Sequence, residues 1–204
     1  IGSNADESTV FMPYFEPLYG KDEQGFDRYL SLQLPEVRDQ VATAYPTSAF
    51  GDLSERWAAL DTDVNFTYPM RVWARHMQTV KSPAYLYFFT WHPPIAQRDS
   101  YKSFHAAEIG YVFGDLTLFG AQPVAADFRF SNVMMNIWTT FAKTGDPNVA
   151  ELPQWQAFTA EGEDYMELGP RLSAGSKLRM SQMRLVEQAW AARRAAARQA
   201  EVKN

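Results

Sequence analysis

The sequence predicts an α/β fold, a piece of a largely parallel sheet with helices packed against it. Two observations carry that expectation. Residues 84–90 (Ala-Tyr-Leu-Tyr-Phe-Phe-Thr) form an unbroken apolar and aromatic run closed by Pro93-Pro94, the pattern of a strand covered on both faces. Further on, Phe130, Val133, Met134, Ile137, Trp138, Phe141 and Ala142 recur at helical spacing, which gives one apolar stripe on a helix over residues 128–142. One central strand is too few for a complete sheet. Most of the sheet is therefore expected from polypeptide outside these 204 residues.

Taken in order, the chain opens Ile-Gly-Ser-Asn-Ala-Asp-Glu-Ser with no Met and no charged-then-apolar leader. It reads as the middle of a longer protein entered at the end of a strand. Residues 13–25 hold two prolines and two glycines among polar neighbours and are expected to be loop. Residues 35–45 suit a short helix, with Pro35 in its first turn and Pro46 just past its end. Phe66, Met70, Trp73, Met77 and Val80 fall on one face of a second helix, with Asp63 as its cap and Pro69 in its first turn. Asp127 would cap the helix over 128–142, and Gly145 followed by Asp146-Pro147 would stop it. A last helix over 179–198 turns Met183, Val186 and Trp190 inward and ends in an Ala/Arg-rich solvated tail.

Composition narrows the functional classes. Hydrophobic residues make up 46% and aromatics 15%, too apolar for a disordered chain and rich in flat side chains suited to a pocket. A net charge of -5 is the wrong sign for a nucleic-acid footprint. No stretch approaches the roughly 20 apolar residues of a membrane span. With no cysteine, disulfides, thiolate zinc sites and cysteine nucleophiles are excluded together. No His/Asp/Glu cluster has metal-ligand spacing, and no glycine-rich loop follows a strand to cradle phosphate; no metal and no cofactor is expected.

Three segments carry chemistry when taken together. They are Gly2-Ser3-Asn4-Ala5-Asp6-Glu7 followed by Phe11, then residues 104–114 (FHAAEIGYVFG), then residues 138–148 (WTTFAKTGDPN). In this order they closely resemble the type-B carboxylesterase/cholinesterase family. Thr62-Asp-Val-Asn-Phe66 and the run at 84–89 fall where that family has similar segments, so the resemblance extends from residue 1 to about residue 190. It implies an α/β-hydrolase fold, with residues 1–204 as the C-terminal part of one domain: a mostly parallel central sheet flanked by helices. By the same resemblance Glu7 is the acid and His105 the base of a Ser-Glu-His triad. Glu108 organises the histidine loop without joining the triad, and Val10 and Phe11 match substrate-pocket positions. The glycine that usually follows the acid is Ser8 here.

The chemistry explains why such residues are needed. A hydroxyl that attacks an ester must lose its proton as it does so, and a base with a pKa near neutrality must touch it. Histidine meets that requirement, and a carboxylate on its other nitrogen fixes the tautomer and stabilises the imidazolium. In α/β-hydrolases the chain order is nucleophile, acid, histidine, and Glu7 precedes His105. No G-x-S-x-G elbow occurs in the chain. The nucleophile is therefore expected on an N-terminal portion of the same esterase, which becomes the partner of this chain, with a small-molecule ester as substrate.

Blander expectations apply elsewhere. His76 is expected to be a packed structural histidine, and His92 a structural residue at a strand end. Residues 161–164 (Glu-Gly-Glu-Asp) are expected to be an exposed loop, and Arg193, Arg194 and Arg198 a solvated helix end. The rival functional class is a non-catalytic cholinesterase-like module for protein binding or adhesion, since fold alone does not establish activity. Retention of both Glu7 and His105 favours the enzyme. An independent domain is disfavoured, because part of one sheet would leave a long unpaired edge.

Overall fold

The computed structural model describes residues 1–203. Four strands form one sheet in the order β1-β2-β3-β4: β1 (Gly2–Asn4), β2 (Leu86–Phe89), β3 (Asp164–Leu168) and β4 (Leu172–Ser176). The β1/β2 and β2/β3 pairs are parallel, and β3/β4 is antiparallel. The helices are α1 (Met12–Tyr19), α2 (Glu23–Gln33), α3 (Val41–Ala44), α4 (Thr47–Phe50), α5 (Leu53–Thr62), α6 (Tyr68–Met77), α7 (Arg98–Tyr101), α8 (Ile109–Phe113), α9 (Ala125–Thr144) and α10 (Met180–Lys203). The chain divides into two compact units. The first comprises Ile1–Val10 and Pro69–Leu178; the second comprises Phe11–Tyr68 and the chain from Arg179 onward.

In the first unit β2 is the central strand, as its apolar run predicts. Its side chains alternate between two helical layers. Phe89 joins Met166 and Leu168 of β3 in a core with Phe130, Met134 and Ile137 of α9, with Tyr87 packed against it. Leu86 points the other way, into a cluster with Ala74 of α6 and Phe158. Opposite Tyr87 in the β1 register stands Gly2. The Tyr87 ring lies directly over it, in the space a Cβ would occupy, so a side chain there would displace the ring. α9 runs two residues beyond its expected end and stops at Gly145, whose φ of 77° is left-handed. Asp127 is not the residue that precedes this helix. It sits in the first turn and accepts the Val124 N–H (2.9 Å), the Trp91 indole N–H (2.9 Å) and the Tyr111 hydroxyl (2.7 Å). One buried carboxylate thereby ties the end of β2, α8 and the start of α9 together.

Strands β3 and β4 carry little signal in the sequence because they are short and polar, with only Met166 and Leu168 fully buried. The acidic segment 161–164 is not an exposed loop throughout. Glu163 is 5% exposed, and its carboxylate receives Arg71 Nε (3.0 Å), Arg71 Nη2 (2.6 Å) and Arg75 Nη2 (2.6 Å). Burial pushes that carboxyl up, but hydrogen bonds and charge from the two guanidiniums outweigh it and hold it below the ordinary carboxylate range.

In the second unit the expected loop at 13–25 is largely helical. α1 forms despite Pro17 in its interior, with Phe15 and Tyr19 packing their rings against Tyr29 and Trp57, contacts that offset one lost backbone bond. Asp22 caps α2 by accepting the Gly25 N–H (2.8 Å). The helix expected over 35–45 is broken into a turn, a 3-10 turn (Arg38–Gln40) and α3. Asp63 is not a cap either. It lies fully buried in a π-helical turn, Asp63–Thr67, that runs on from α5. Its Oδ2 accepts the Tyr45 hydroxyl (2.7 Å) and pairs with Arg179 Nη2 at 3.0 Å. In the first unit, Trp73 and Val80, expected on one apolar face with Phe66, Met70 and Met77, are exposed, while Ala74 is buried. On α10, Met183 and Val186 are buried as expected, whereas Trp190 stays partly exposed with the Arg193 guanidinium over its ring.

Candidate active site

Sheet register explains why the two motif residues meet. Gly2, Ser3 and Asn4 of β1 pair with Tyr87, Phe88 and Phe89 of β2, and the Ala5 N–H extends the ladder to the Phe89 carbonyl (2.9 Å). Both parallel strands therefore end at the same level. Chain leaving β1 reaches Glu7, and chain leaving β2 returns at His105. Side chains beyond the carboxyl ends of parallel strands are where α/β folds place their sites.

Glu7 opens a 3-10 turn, Glu7–Phe11, and is buried. Its Oε2 lies 2.7 Å from His105 Nδ1, and its Oε1 accepts the Asn4 N–H at 2.7 Å. Burial raises the Glu7 carboxyl above the ordinary carboxylate range, opposed by the Asn4 N–H and by His105, with nearby Glu108 pushing in the same direction as burial. The arrangement fixes the imidazole by Nδ1, so Nε2 is the nitrogen that can take up a proton. His105 itself is half exposed.

The histidine loop is anchored on either side of the exposed ring. Phe104 and Ala107 are buried in the core, and Phe104 meets Phe119 edge-on at 5.2 Å. Ala106 takes a left-handed φ of 70°, a strained turn that only over-determined surroundings hold. Two main-chain links tie the loop to the acid segment: Asp6 N–H to the Ser103 carbonyl (3.2 Å) and His105 N–H to the Glu7 carbonyl (3.3 Å). The Asp6 carboxylate returns a third by accepting the Ser103 N–H at 3.1 Å.

The sequence-predicted residues distribute unevenly. Glu7, His105 and Glu108 come together. Glu108 reaches the others through Asn4, whose Nδ2 donates to Glu108 Oε2 (2.7 Å) and to the Phe104 carbonyl (2.8 Å). Val10 packs against the core of the first unit, and Phe11 stacks on Phe66 in the second. Ser8, where the family pattern has glycine, has no left-handed φ and is fully buried, so the turn accommodates it. His92 sits 4.0 Å from Asp6 Oδ2. Burial lowers its pKa, and Arg98 and Lys102 add to that while Asp6 opposes it. His76 is exposed rather than packed. Asn4 is the site residue that the sequence motif contains without revealing its role.

A cavity of about 460 Å³ lined by Met70, Trp73, Tyr85, Tyr87 and Trp138 opens beside Ile1 and Gly2. It lies at the amino ends of the strands, away from Glu7 and His105, and is not the pocket for this pair. Among the described residues no group of three or more His, Asp or Glu could hold a metal, and no helix is long and apolar enough to cross a membrane.

Comparison with known proteins agrees with the fold. Residues 1–186 match the family model described as the carboxylesterase family. Carboxylesterase 5A of Canis lupus familiaris is 31% identical over 196 residues, covering 88% of this chain and 34% of the relative. The para-nitrobenzyl esterase of Bacillus subtilis (strain 168) is 28% identical over 179 residues, covering 85% of this chain and 34% of that protein. Among solved structures, a thermophilic PNB esterase superposes with a TM-score of 0.70 at 26% identity, covering 91% of this chain and 37% of that one. The chain thus spans about a third of the length of the curated relatives it matches. With an α/β-hydrolase arrangement of strands and the family match running through residue 186, the chain belongs to the carboxylesterase family.

Proposed function

We propose that this chain supplies the acid and the base of a serine esterase, and that the nucleophilic serine lies on polypeptide outside these 204 residues. The observation that carries the reading is the 2.7 Å bond between the buried Glu7 carboxylate and His105 Nδ1, placed beyond the ends of two parallel strands. The absence of a G-x-S-x-G elbow from the chain, and its coverage of about a third of its relatives, support the location of the serine.

In this reading the serine hydroxyl attacks the ester carbonyl while His105 Nε2 takes its proton. The imidazolium so formed is stabilised by Glu7 and returns the proton to the departing alcohol, leaving an acyl-serine. Water then repeats the sequence and releases the acid. Glu7 keeps the ring in the tautomer that presents Nε2, and burial of its carboxylate strengthens that interaction by keeping water away.

The test is kinetic and uses the complete protein with a para-nitrophenyl ester. His105→Ala should abolish turnover, and Glu7→Ala should lower kcat by about 10⁴, the loss expected when the orienting acid is removed. Wild-type turnover in His105→Ala would overturn the assignment. A wild-type protein with no esterase activity and an unreactive serine would point instead to a binding module.

A further inference from the structure

Asn4 is 1% exposed and ends the strand that delivers Glu7. Its main-chain N–H is already given to Glu7 Oε1, so its side chain is a separate device. Both amide hydrogens of Nδ2 are used, one on the Phe104 carbonyl at 2.8 Å and one on Glu108 Oε2 at 2.7 Å. The Phe104 carbonyl can only accept, which fixes the amide with Nδ2 toward the histidine loop.

Those two bonds act on the histidine from both sides. The peptide unit between Phe104 and His105 has its oxygen held by Asn4 Nδ2 and its N–H held by the Glu7 carbonyl at 3.3 Å. That unit cannot rotate without breaking one bond or the other, and the imidazole direction follows from it. Glu108 lies three residues after His105 and close enough to Glu7 to raise its carboxyl. An untethered Glu108 carboxylate would compete with Glu7 for the ring.

We propose that the Asn4 side chain is a positioning residue. By holding the Phe104 carbonyl and the Glu108 carboxylate together, it sets His105 against Glu7 and keeps Glu108 off the imidazole. The inference rests on the esterase reading above. Asn4 touches no reactant and acts through its neighbours, so its removal should lower kcat with little change in KM, on the 10–100-fold scale of outer-shell partners.

The experiment is a pair of double-mutant cycles in the complete protein, read as kcat and KM for a para-nitrophenyl ester alongside thermal unfolding. Asn4→Ala and Glu108→Ala should each lower kcat about 10–100-fold. The double variant should be no slower than Asn4→Ala alone, because that change already removes the bond through which Glu108 acts, together with the one to the Phe104 carbonyl. In case Asn4→Ala fails to fold, Asn4→Asp keeps the shape but sets a carboxylate against Glu108 and the Phe104 carbonyl. Its activity should fall at least 100-fold, and adding Glu108→Gln, whose amide can donate to Asp, should recover about 10-fold. A purely structural role through Phe104 would not be rescued by a change at Glu108. Multiplying losses in the alanine cycle, or no recovery in Asn4→Asp/Glu108→Gln, overturns the proposal. If instead His105→Ala is fully active, the esterase reading fails, and that outcome is separate.

Discussion

At the scale of single residues, the chain shows two uses of a buried carboxylate. Glu7 is raised by burial and stabilised by one N–H and one imidazole, an arrangement suited to chemistry. Glu163 is lowered by two guanidiniums and holds structure. The sign of its contribution follows from that direction. A carboxyl depressed in the folded state adds stability above its unfolded value, about 4.3 for glutamate, and loses it as pH falls through the folded value. Glu163→Gln should therefore cost about 3–5 kcal/mol near pH 7, the scale for breaking a buried ion pair. The difference from wild type should shrink as pH falls through the depressed folded-state value of Glu163, below the ordinary carboxylate range, where the glutamate becomes neutral in both states; denaturant titrations at a series of pH values measure it. A pH-independent difference would assign the loss to packing instead. Glu7 and His105 were legible in the sequence because each sits in a local motif. Asn4 stands in the same motif, but its role depends on Phe104 and Glu108, about a hundred residues away, and only the β1/β2 register brings them together.

Among the elements, those with strong periodicity were legible and those stabilised by distant contacts were not. β2 and α9 follow from apolar runs and from Gly145. Nothing stands within 4 Å of the Cβ that Gly145 would acquire, and its φ is 77°. Gly145→Ala should then cost only the left-handed conformational penalty, about 1–2 kcal/mol, as a shift in the denaturant midpoint with an unchanged slope. A loss well beyond that would mean the end of α9 carries contacts the geometry does not show. α1 was hidden by its prolines, and its aromatic partners Tyr29 and Trp57 lie farther along the chain. α5 carries a local signal: Asp52 and Glu55 cap each other's N–H groups at 3.0 and 3.1 Å, the reciprocal pattern written in Asp-x-x-Glu. The alternation of Met166 and Leu168 and the Gly169-Pro170 turn mark β3 and β4 in the sequence, though five residues of mixed polarity seldom declare themselves.

For the whole molecule, the register of β1 against β2 accounts for where Glu7 and His105 meet. Buried Glu7 and half-exposed His105 meet at the carboxyl ends of β1 and β2, and no G-x-S-x-G elbow is encoded in these 204 residues. The most direct measurement is to treat the protein preparation with a fluorophosphonate probe, denature it, and record the mass and peptide map of every polypeptide present. The proposal predicts one adduct, on a serine outside residues 1–204, lost when His105 is replaced by alanine. No adduct, or an adduct on a serine within this chain, would contradict it.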